Sequence, residues 1–450
     1  MRENKSPWFH RLRQFTRREM RWLAPGIGVK RYILILLAGI TFLGVGLAMF
    51  ALDVYRTAPD TWWLPFLQAI ALQDLDRPVR VLIFGLLGLG VFLYGVWGLN
   101  RSLLQPFLRP GSAIVDTVSN YRRKERGPRI VAIGGGTGLA ALLRGLKVYT
   151  NNLTAIVTVA DDGGSSGELR RTIGVLPPGD IRNCLSALAD DEALITQIFQ
   201  YRFGSSAGLN GHSLGNLFIT AMAEITGSFE QAVAESGRVL AVRGKVMPST
   251  LDDVRLVADL YDPIRDQEVR VKGESNIPTH PGNVKRVWLE PNSPEAYPPA
   301  IQAILSADLI LIGPGSLYTS LLPNLLVPDI AAAIRASRAY KFYLCNIATQ
   351  PGETDGYTCY DHAMVIERHL KGRIFELVVC NNQTKGKLPN KVQYVLPGTE
   401  LDEHYPSYCA NLLDEVQPWR HDSQKIAKII MDLLYERTGP LQNRDDNLLQ

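Results

Sequence analysis

The sequence feature that most constrains the fold is a glycine-rich turn between an apolar run and a helical pattern. Residues 129–133 are typical of a short strand, and residues 139–146 have the spacing of a helix that follows it. In such a unit the backbone N–H groups and the helix N-terminus point at an anion, usually a phosphate. Glycine suits this position because a Cβ would hold the ligand away. The predicted ligand-binding turn comprises Gly134, Gly135, Gly136, Thr137 and Gly138.

This turn does not fully match either of two common phosphate-binding motifs. Counted from Gly134, the third glycine of a dinucleotide fingerprint falls on Leu139, and counted from Gly136 it falls on Ala141. The turn is also not followed by the Gly-Lys-Ser/Thr sequence of a P-loop. The spacing therefore leaves open phosphate or nucleotide binding, an NAD-dependent enzyme, and a tight turn with a structural role only.

A second predicted strand, residues 153–160, ends in two acidic residues and another glycine-rich segment. Asp161 lies 27 residues after Gly134, where an acid in a doubly wound sheet commonly accepts a hydrogen bond from a ribose hydroxyl. The two acids are also candidate metal ligands for a Mg²⁺ ion that bridges phosphates. A polar loop that caps the next helix is the alternative. The candidate ligand contacts here are Asp161, Asp162, Gly163, Gly164 and Ser165.

Four further loops carry candidate site residues. In PPGDIRN, Asp180 is expected to cap a helix, and Arg182 is expected to pair with phosphate or with Asp162. Each loop taken alone is also compatible with a segment that connects two elements and binds nothing. Together they place polar groups at the carboxyl ends of several strands, where open α/β sheets bind ligands. The other candidates are His212 and Asn216 in GHSLGN, Gly313, Gly315 and Ser316 after residues 309–312, and Asn346 and Thr349 after residues 341–345.

The order of the predicted elements indicates an α/β fold with a mostly parallel sheet. Short alternating runs between about residues 238 and 295 predict a small β-rich insertion. Residues 424–435 have an amphipathic helical pattern. We assign residues 110–437 to one nucleotide-binding domain and residues 438–450 to a flexible polar tail.

Two uncharged apolar runs precede this domain. Residues 32–52 and 81–99 are each long enough to cross a bilayer as a helix, although a buried helix of a soluble protein is the alternative. Nine cationic residues lie in the arm at residues 1–31 and more follow the second run, whereas the intervening loop holds three arginines. By the positive-inside rule this predicts two transmembrane helices, a hairpin over residues 32–109 in the inner or plasma membrane. The N-terminus and the C-terminal domain would both be cytoplasmic.

The basic isoelectric point comes from the N-terminal arm. Residues 1–31 carry a net charge of +7 and the whole chain carries +4, so the remainder carries −3. We therefore expect no extended basic surface and no nucleic acid partner. The five cysteines include no C-x-x-C pair, which favours reduced thiols over a disulfide framework.

Six sequence blocks, in this order, resemble the YvcK family of gluconeogenesis factors, which is related to the 2-phospho-L-lactate transferase CofD. The blocks are GGGTGL, ADDGGSSGELR, PPGDIRNCL, GHSLGNLFITA, GPGSLYTSLLPNLLV and NIATQPGETDGYT, within residues 128–437. The resemblance implies a Rossmann-like core that binds nucleotide sugars of the UDP-N-acetylglucosamine (UDP-GlcNAc) type. It also implies a regulator of carbon flux, cell-wall precursor supply and cell shape, with no assigned catalytic residue and no required cofactor.

The resemblance also implies roles for the candidate residues. The two glycine turns would cradle a diphosphate, Asp161 or Asp162 would contact the ribose or uracil, and Arg182, His212 and Asn216 would help to close the site. The alternative is a transferase like the CofD branch, with Mg²⁺ on Asp161 and Asp162 and electrostatic stabilisation of the transferred group. The predicted membrane location suggests enzymes of cell-wall precursor synthesis as partners, and homodimerisation is left open.

Overall fold

The structure, a computed structural model, divides into two compact units, Met1–Arg123 and Lys124–Gln450. The residues that it describes are 37–38, 40–42, 44, 48, 72, 76–104, 121–190, 192–204, 209, 211–262 and 265–438. The predicted arm at residues 1–31, the predicted domain boundary at residue 110 and all but the first residue of the predicted tail lie outside the described residues.

In the first unit the longest described helix is α1 (Arg77–Leu104), which contains the predicted apolar run at residues 81–99. Large apolar side chains along it are exposed, such as Leu86 at 63% and Val91 at 67%. Within the described part of the chain, no single helix is long and apolar enough to cross a membrane. The other predicted run, residues 32–52, lies mostly outside the described residues, so the two-span hairpin stays a prediction.

The second unit is built on a seven-stranded sheet whose neighbouring strands are all parallel. In chain order the strands of this unit are β1 (Ile130–Gly134), β2 (Leu153–Val157), β3 (Lys245–Pro248), β4 (Arg255–Asp262), β5 (Gln267–Lys272), β6 (Asn283–Glu290), β7 (Leu309–Ile312), β8 (Tyr340–Leu344), β9 (Leu377–Asn381) and β10 (Ser407–Ala410). The parallel sheet has the order β10-β9-β8-β7-β1-β2-β3. The prediction of an α/β fold with a mostly parallel, Rossmann-like sheet is confirmed.

Helices cover both faces of this sheet. In chain order they are α2 (Gly136–Leu146), α3 (Gly164–Ile173), α4 (Gly179–Leu188), α5 (Glu192–Gln200), α6 (Leu214–Thr226), α7 (Phe229–Val239), α8 (Pro298–Ser306), α9 (Leu322–Leu325), α10 (Pro328–Ala336), α11 (Cys359–Leu370), α12 (Leu401–His404) and α13 (Ser423–Thr438). The second unit also contains a 3₁₀ helix, Glu274–Thr279, and a π-helical turn, Leu317–Leu321.

Alternating side chains of the parallel strands supply two hydrophobic clusters, one on each face of the sheet. In β1, Ile130 and Ala132 belong to one cluster, and Val131 and Ile133 belong to the other. Successive side chains of a strand point to opposite faces, so a strand that is covered on both faces must be apolar almost throughout. The continuous apolar runs that predicted these strands therefore reflect burial on both sides.

A separate three-stranded antiparallel sheet, in the order β5-β4-β6, packs against one of these clusters. Leu256, Leu260 and Val287 of this sheet are buried in the same cluster as Val131 and Ile133. The predicted β-rich insertion at residues 238–295 contains this sheet. It also contains β3, which instead pairs with β2 at the edge of the parallel sheet.

One cysteine expectation is wrong. Cys380 and Cys409 are register partners on the parallel strands β9 and β10, and they form a disulfide. The other three cysteines, Cys184, Cys345 and Cys359, are buried and free. Sequence spacing gave no sign of the pair, because strand register rather than proximity in the chain brings the two thiols together.

Helices α2 and α13 approach each other closely at a glycine. A Cβ added to Gly145 would lie 1.8 Å from the Ser423 carbonyl oxygen and 2.7 Å from the Ala427 Cβ. The contact fixes α2, whose other end forms the first glycine turn. The predicted amphipathic helix at residues 424–435 is confirmed as α13, which buries Ile426 and Ile430.

We expect Gly145→Ala to lower the free energy of unfolding by about 1–3 kcal/mol, because the added methyl group meets backbone that cannot move aside. Gly237→Ala in α7 is the matched control, since its Cβ would meet atoms no closer than 3.7 Å. That change should leave stability equal or raise it by about 0.5–1 kcal/mol through helix propensity. Urea unfolding followed by circular dichroism measures both, and equal effects of the two changes would contradict this packing.

Candidate functional site

The site lies where the strand order reverses. β1 pairs with β2 on one side and with β7 on the other, and the chain leaves both β1 and β7 through glycine turns. The Gly313 N–H donates a hydrogen bond to the Ile133 carbonyl oxygen at 2.8 Å, so the two turns start side by side. In open α/β sheets, ligands bind at this reversal, outside the carboxyl ends of the strands.

The first glycine turn leads directly into α2. Gly135 is the residue before the helix and has no side chain that could cap it, and no acidic residue lies in the first turn of α2 itself. Gly136 has a φ of +66°, which a residue with a Cβ rarely adopts. A Cβ added to Gly138 would lie 3.1 Å from the Pro314 carbonyl oxygen of the second turn. Glycine is thus required both by backbone conformation and by the close packing of the two turns.

The second glycine turn is held by side-chain amides. Asn346 accepts a hydrogen bond from the Gly315 N–H at 3.1 Å and donates one to the Gly315 carbonyl oxygen at 2.8 Å. The buried Asn324 amide donates to the Gly134 and Ser320 carbonyl oxygens, at 2.9 Å and 2.8 Å. These amides pin both turns in place, so Asn346 supports the site through its backbone contacts.

A cavity of about 270 Å³ lies between the two turns, and we call it the turn cavity. Trp419, Arg420 and His421 close its far side. A neighbouring cavity of about 290 Å³ shares Arg420 and His421 with it. Among the predicted ligand contacts, those that line the turn cavity are Gly135, Gly136, Thr137, Gly138, Gly315, Ser316, Asn346 and Thr349.

Sequence reasoning missed the segment that closes the turn cavity. Arg420 has no carboxylate partner among the described residues, whereas His421 is buried and its Nε2–H group donates a hydrogen bond to the Cys345 carbonyl oxygen at 3.1 Å. Burial lowers the pKa of His421 to about 4, so its imidazole is neutral at pH 7. Arg420 is therefore the charged cation of this cavity. The Trp-Arg-His cluster just before α13 was the available signal, but only the fold carries it to the glycine turns.

The acidic pair does not line the turn cavity. The Asp161 carboxylate accepts a hydrogen bond from the Gly163 N–H at 2.8 Å, and the Asp162 carboxylate accepts one from the Ser275 N–H at 2.9 Å. Both acids thus hold the loop before α3, and Gly164, the first residue of that helix, has a φ of +46°. In the described part of the chain, no three His, Cys, Asp or Glu side chains meet with the geometry of a metal site.

Asp180 connects the acidic loop to the first glycine turn. It was expected to cap α4, but that helix begins at Gly179 and Asp180 lies in its first turn. Its carboxyl group instead lies beside the Gly136 N–H, which favours the ionised form and so lowers its pKa against the effect of burial. A Cβ added to Gly135 would lie 2.4 Å from Asp180 Oδ2, so the acid sits directly under the turn. Although Asp180 keeps some accessible surface, dense surrounding protein atoms raise its pKa to about 6.

Arg182, His212 and Asn216 form one buried network with Ser165 and Ser213. The Arg182 guanidinium donates to the Asn216 amide oxygen at 3.0 Å and to Ser213, and it forms no ion pair with Asp162. The Asn216 amide donates to Ser165 Oγ at 3.0 Å, and Ser165 Oγ lies 3.0 Å from His212 Nδ1. Of the two predicted partners, Asp162 is therefore not the one that Arg182 contacts, and pairing with phosphate stays a prediction. Arg182 Nε has no hydrogen-bond partner in the structure.

Two further carboxyl groups, Glu274 and Glu353, also have raised pKa values. Burial raises the pKa of Glu274 to about 8, with added repulsion from Asp161, Glu353, Asp162 and Asp180. Burial likewise raises the pKa of Glu353 to about 7, while a hydrogen bond from Thr319 opposes that rise. The turn cavity has Arg420 in its lining, and Asp180 beneath Gly135 is the acid that lies nearest to its first turn.

Comparison with known proteins places the chain in a family. The family described as "2-phospho-L-lactate transferase CofD" matches residues 130–434. A relative from Nostoc sp. (strain PCC 7120), provisionally named a gluconeogenesis factor, is 46% identical and covers 95% of this chain and 94% of its own. The Bacillus subtilis "Gluconeogenesis factor" is 44% identical and covers 69% of this chain and 99% of its own length.

A solved structure agrees with these matches. The crystal structure of a UPF0052-family protein from Bacillus halodurans is 41% identical and superposes with a TM-score of 0.63. It covers 68% of this chain and 99% of that chain. The chain therefore belongs to the CofD family and, within it, to the gluconeogenesis factors of the YvcK type.

Proposed function

We propose that this gluconeogenesis factor is a regulator that binds a nucleotide sugar of the UDP-N-acetylglucosamine type in the turn cavity. Binding would report carbon flux to cell-wall precursor supply, and through it to cell shape. The observation that carries the proposal is the turn cavity itself: two glycine turns at the strand-order reversal face a cation without a carboxylate partner among the described residues. These are the elements that recognise a diphosphate.

The polar groups of the turn cavity suit both ends of such a ligand. The N-terminus of α2 and the Arg420 guanidinium provide donors for the diphosphate. Gln350 also lines the cavity, and its buried Oε1 atom has no hydrogen-bond partner. A buried acceptor without a partner is costly, so a ligand N–H or hydroxyl group would relieve it.

The volume of the site also suits a nucleotide sugar. The turn cavity and its neighbour measure about 270 and 290 Å³ and share Thr137, Ala141, Arg420 and His421. Together they reach the size range of small-molecule sites, roughly 300–1,000 Å³. Trp419 at the edge is 36% exposed and offers an aromatic face to a base or sugar ring.

A second candidate function is the metal-dependent transfer seen in the CofD branch. The observation that favours it is the group of acids with raised pKa values, because such groups concentrate at functional sites. Asp161 and Asp162 are suited to a Mg²⁺ ion held jointly with ligand phosphates, since Mg²⁺ commonly takes one or two carboxylates in that way. Metal-dependent turnover of a nucleotide donor would favour this function over regulation.

For the first proposal we expect the full chain to bind UDP-GlcNAc saturably in calorimetry, without forming a product. Arg420→Gln should weaken that affinity by roughly tenfold, because a charge-assisted contact to phosphate is lost. Arg238→Gln is the matched control, since Arg238 is 77% exposed on α7 and pairs only with Glu235 in the described structure. The affinity of Arg238→Gln for UDP-GlcNAc should equal that of the wild-type protein.

Ligand selectivity separates the two functions in the same experiment. GDP and NAD are the comparison ligands, each measured with and without Mg²⁺. Binding of the UDP-sugar alone supports the regulator, whereas Mg²⁺-dependent binding of GDP alone supports the transferase. Equal affinity of the wild-type protein and Arg420→Gln for UDP-GlcNAc would contradict the placement of the diphosphate.

The position of Asp180 predicts a pH dependence. Above a pKa of about 6 its carboxylate is anionic and repels a diphosphate at the turn, and below that pH it is neutral. Affinity for UDP-GlcNAc should therefore rise as the pH falls from 8 to 5. If the bound ligand raises this pKa by one unit, the gain is about tenfold. Asp180→Asn should flatten the profile, whereas Glu235→Gln on α7 should not, and an unchanged slope in Asp180→Asn would contradict this account.

We also propose that the N-terminal unit anchors the protein to the inner or plasma membrane, with the C-terminal unit on the cytoplasmic side near enzymes of cell-wall precursor synthesis. The exposed apolar side chains of α1 support this, together with the basic arm. The full chain should sediment with membranes and be released by detergent, while a chain that begins at residue 110 should stay in the supernatant. Membrane sedimentation of both chains would contradict the anchor.

A further inference from the structure

A third cavity lies beside the three-stranded antiparallel sheet. It measures about 390 Å³ and is formed by β6 and the C-terminal end of α11. It shares no lining residue with the turn cavity or its neighbour. Four cations line it, and no Asp or Glu does: Lys285, Arg286, Arg368 and Lys371. We call this the basic cavity.

Most of this positive charge is not neutralised by the protein. Arg286 lies 3.3 Å from Asp259, which also pairs with Arg270 at 2.9 Å. Lys285, Arg368 and Lys371 have no carboxylate within ion-pair distance in the described residues. Like charges around one concavity repel one another, and a bound anion removes that cost.

An aromatic ring forms part of the wall. Trp288 is half-buried, and the guanidinium groups of Arg270 and Arg286 each lie 4.9 Å from its ring centroid. Of the two arginines only Arg286 lines the cavity, and its cation–π contact holds it there instead of leaving it to extend into solvent. Arg286 therefore keeps its donors near any ligand that enters.

His369 fixes the two sides of the basic cavity to each other. Its Nε2 atom accepts a hydrogen bond from the Val287 N–H of β6 at 3.1 Å. Its Nδ1 atom, 2.8 Å from the Val365 carbonyl oxygen, then donates within α11. One neutral tautomer satisfies both contacts. Burial lowers the pKa of His369, and the positive charges of Arg368 and Arg286 lower it further, which is consistent with a positive local potential.

We propose that the basic cavity is a second ligand site, for a small molecule that carries two or more phosphate or carboxylate charges. A volume of about 390 Å³ suits a small molecule and not an extended polymer. The chain after residue 31 has a net charge of −3, so the four cations are a local feature and not part of a broad basic surface. This site is independent of the nucleotide-sugar proposal, because the two share no residue.

The test uses the full chain with inorganic pyrophosphate and citrate as separate probes. Saturable binding is followed by calorimetry and by Trp fluorescence at two salt concentrations. The triple variant Lys285→Gln/Arg368→Gln/Lys371→Gln should weaken binding at this site by at least about tenfold, and salt should weaken it in the wild type. Trp288→Phe should abolish the fluorescence change but keep the calorimetric signal. Tighter binding of pyrophosphate would indicate a phosphate ligand, and tighter binding of citrate would indicate a carboxylate ligand.

Arg420→Gln separates this proposal from the first. It removes the cation of the turn cavity and should leave the Trp288 fluorescence change with pyrophosphate unaltered. All three cations of the triple variant are exposed, so circular dichroism should show an intact fold. Binding of either probe with equal affinity by the wild type and the triple variant would overturn the proposal, as would the absence of saturable binding by both probes. Loss of the fluorescence change in Arg420→Gln alone would assign the signal to the turn cavity and also overturn it.

Discussion

The pairing of β1 with β7 is the constraint on which the rest of the site depends. Their parallel register ends with Ile133 opposite Ile312, so the chain leaves both strands at the same level. The two glycine turns are then close enough that a Cβ on Gly138 would press on the Pro314 carbonyl oxygen. Asn324 and Asn346 fix this approach with hydrogen bonds to backbone. A displacement of either strand would separate the turns and remove the cavity between them.

Groups that attract an anion and a group that repels one both lie at the turn cavity. The α2 N-terminus and Arg420 favour an anion, while Asp180 under the turn opposes one when ionised. Burial raises the pKa values of Glu274 and Glu353 toward neutrality, and repulsion from neighbouring acids adds to the rise at Glu274. We therefore expect ligand binding to be coupled to the uptake of protons or of a cation. Either coupling would suit a sensor, because its response would then depend on pH or on the concentration of that cation. The same coupling would serve a metal-dependent transferase, which is why binding and turnover must be measured together.

The sequence predicted the parts of the site that depend on local chain pattern. The glycine turns, the buried strands and α13 each have a signature within one continuous segment, and the structure confirms them. Arg182 and Asp180 were assigned contacts that the fold gives to other groups, because Asn216 and the Gly136 N–H lie closer in three dimensions. Arg420 and the Cys380–Cys409 pair could not be predicted, since strand order and register alone bring those residues to their partners.

The central claim is that a nucleotide sugar lies between the two glycine turns. Hydrogen–deuterium exchange with mass spectrometry, with and without saturating UDP-GlcNAc, tests it most directly. The account predicts slower exchange in peptides that cover residues 134–141, 313–321 and 417–422, and little change in the three-stranded antiparallel sheet. Unchanged exchange in both glycine turns, with protection confined to other segments, would contradict it.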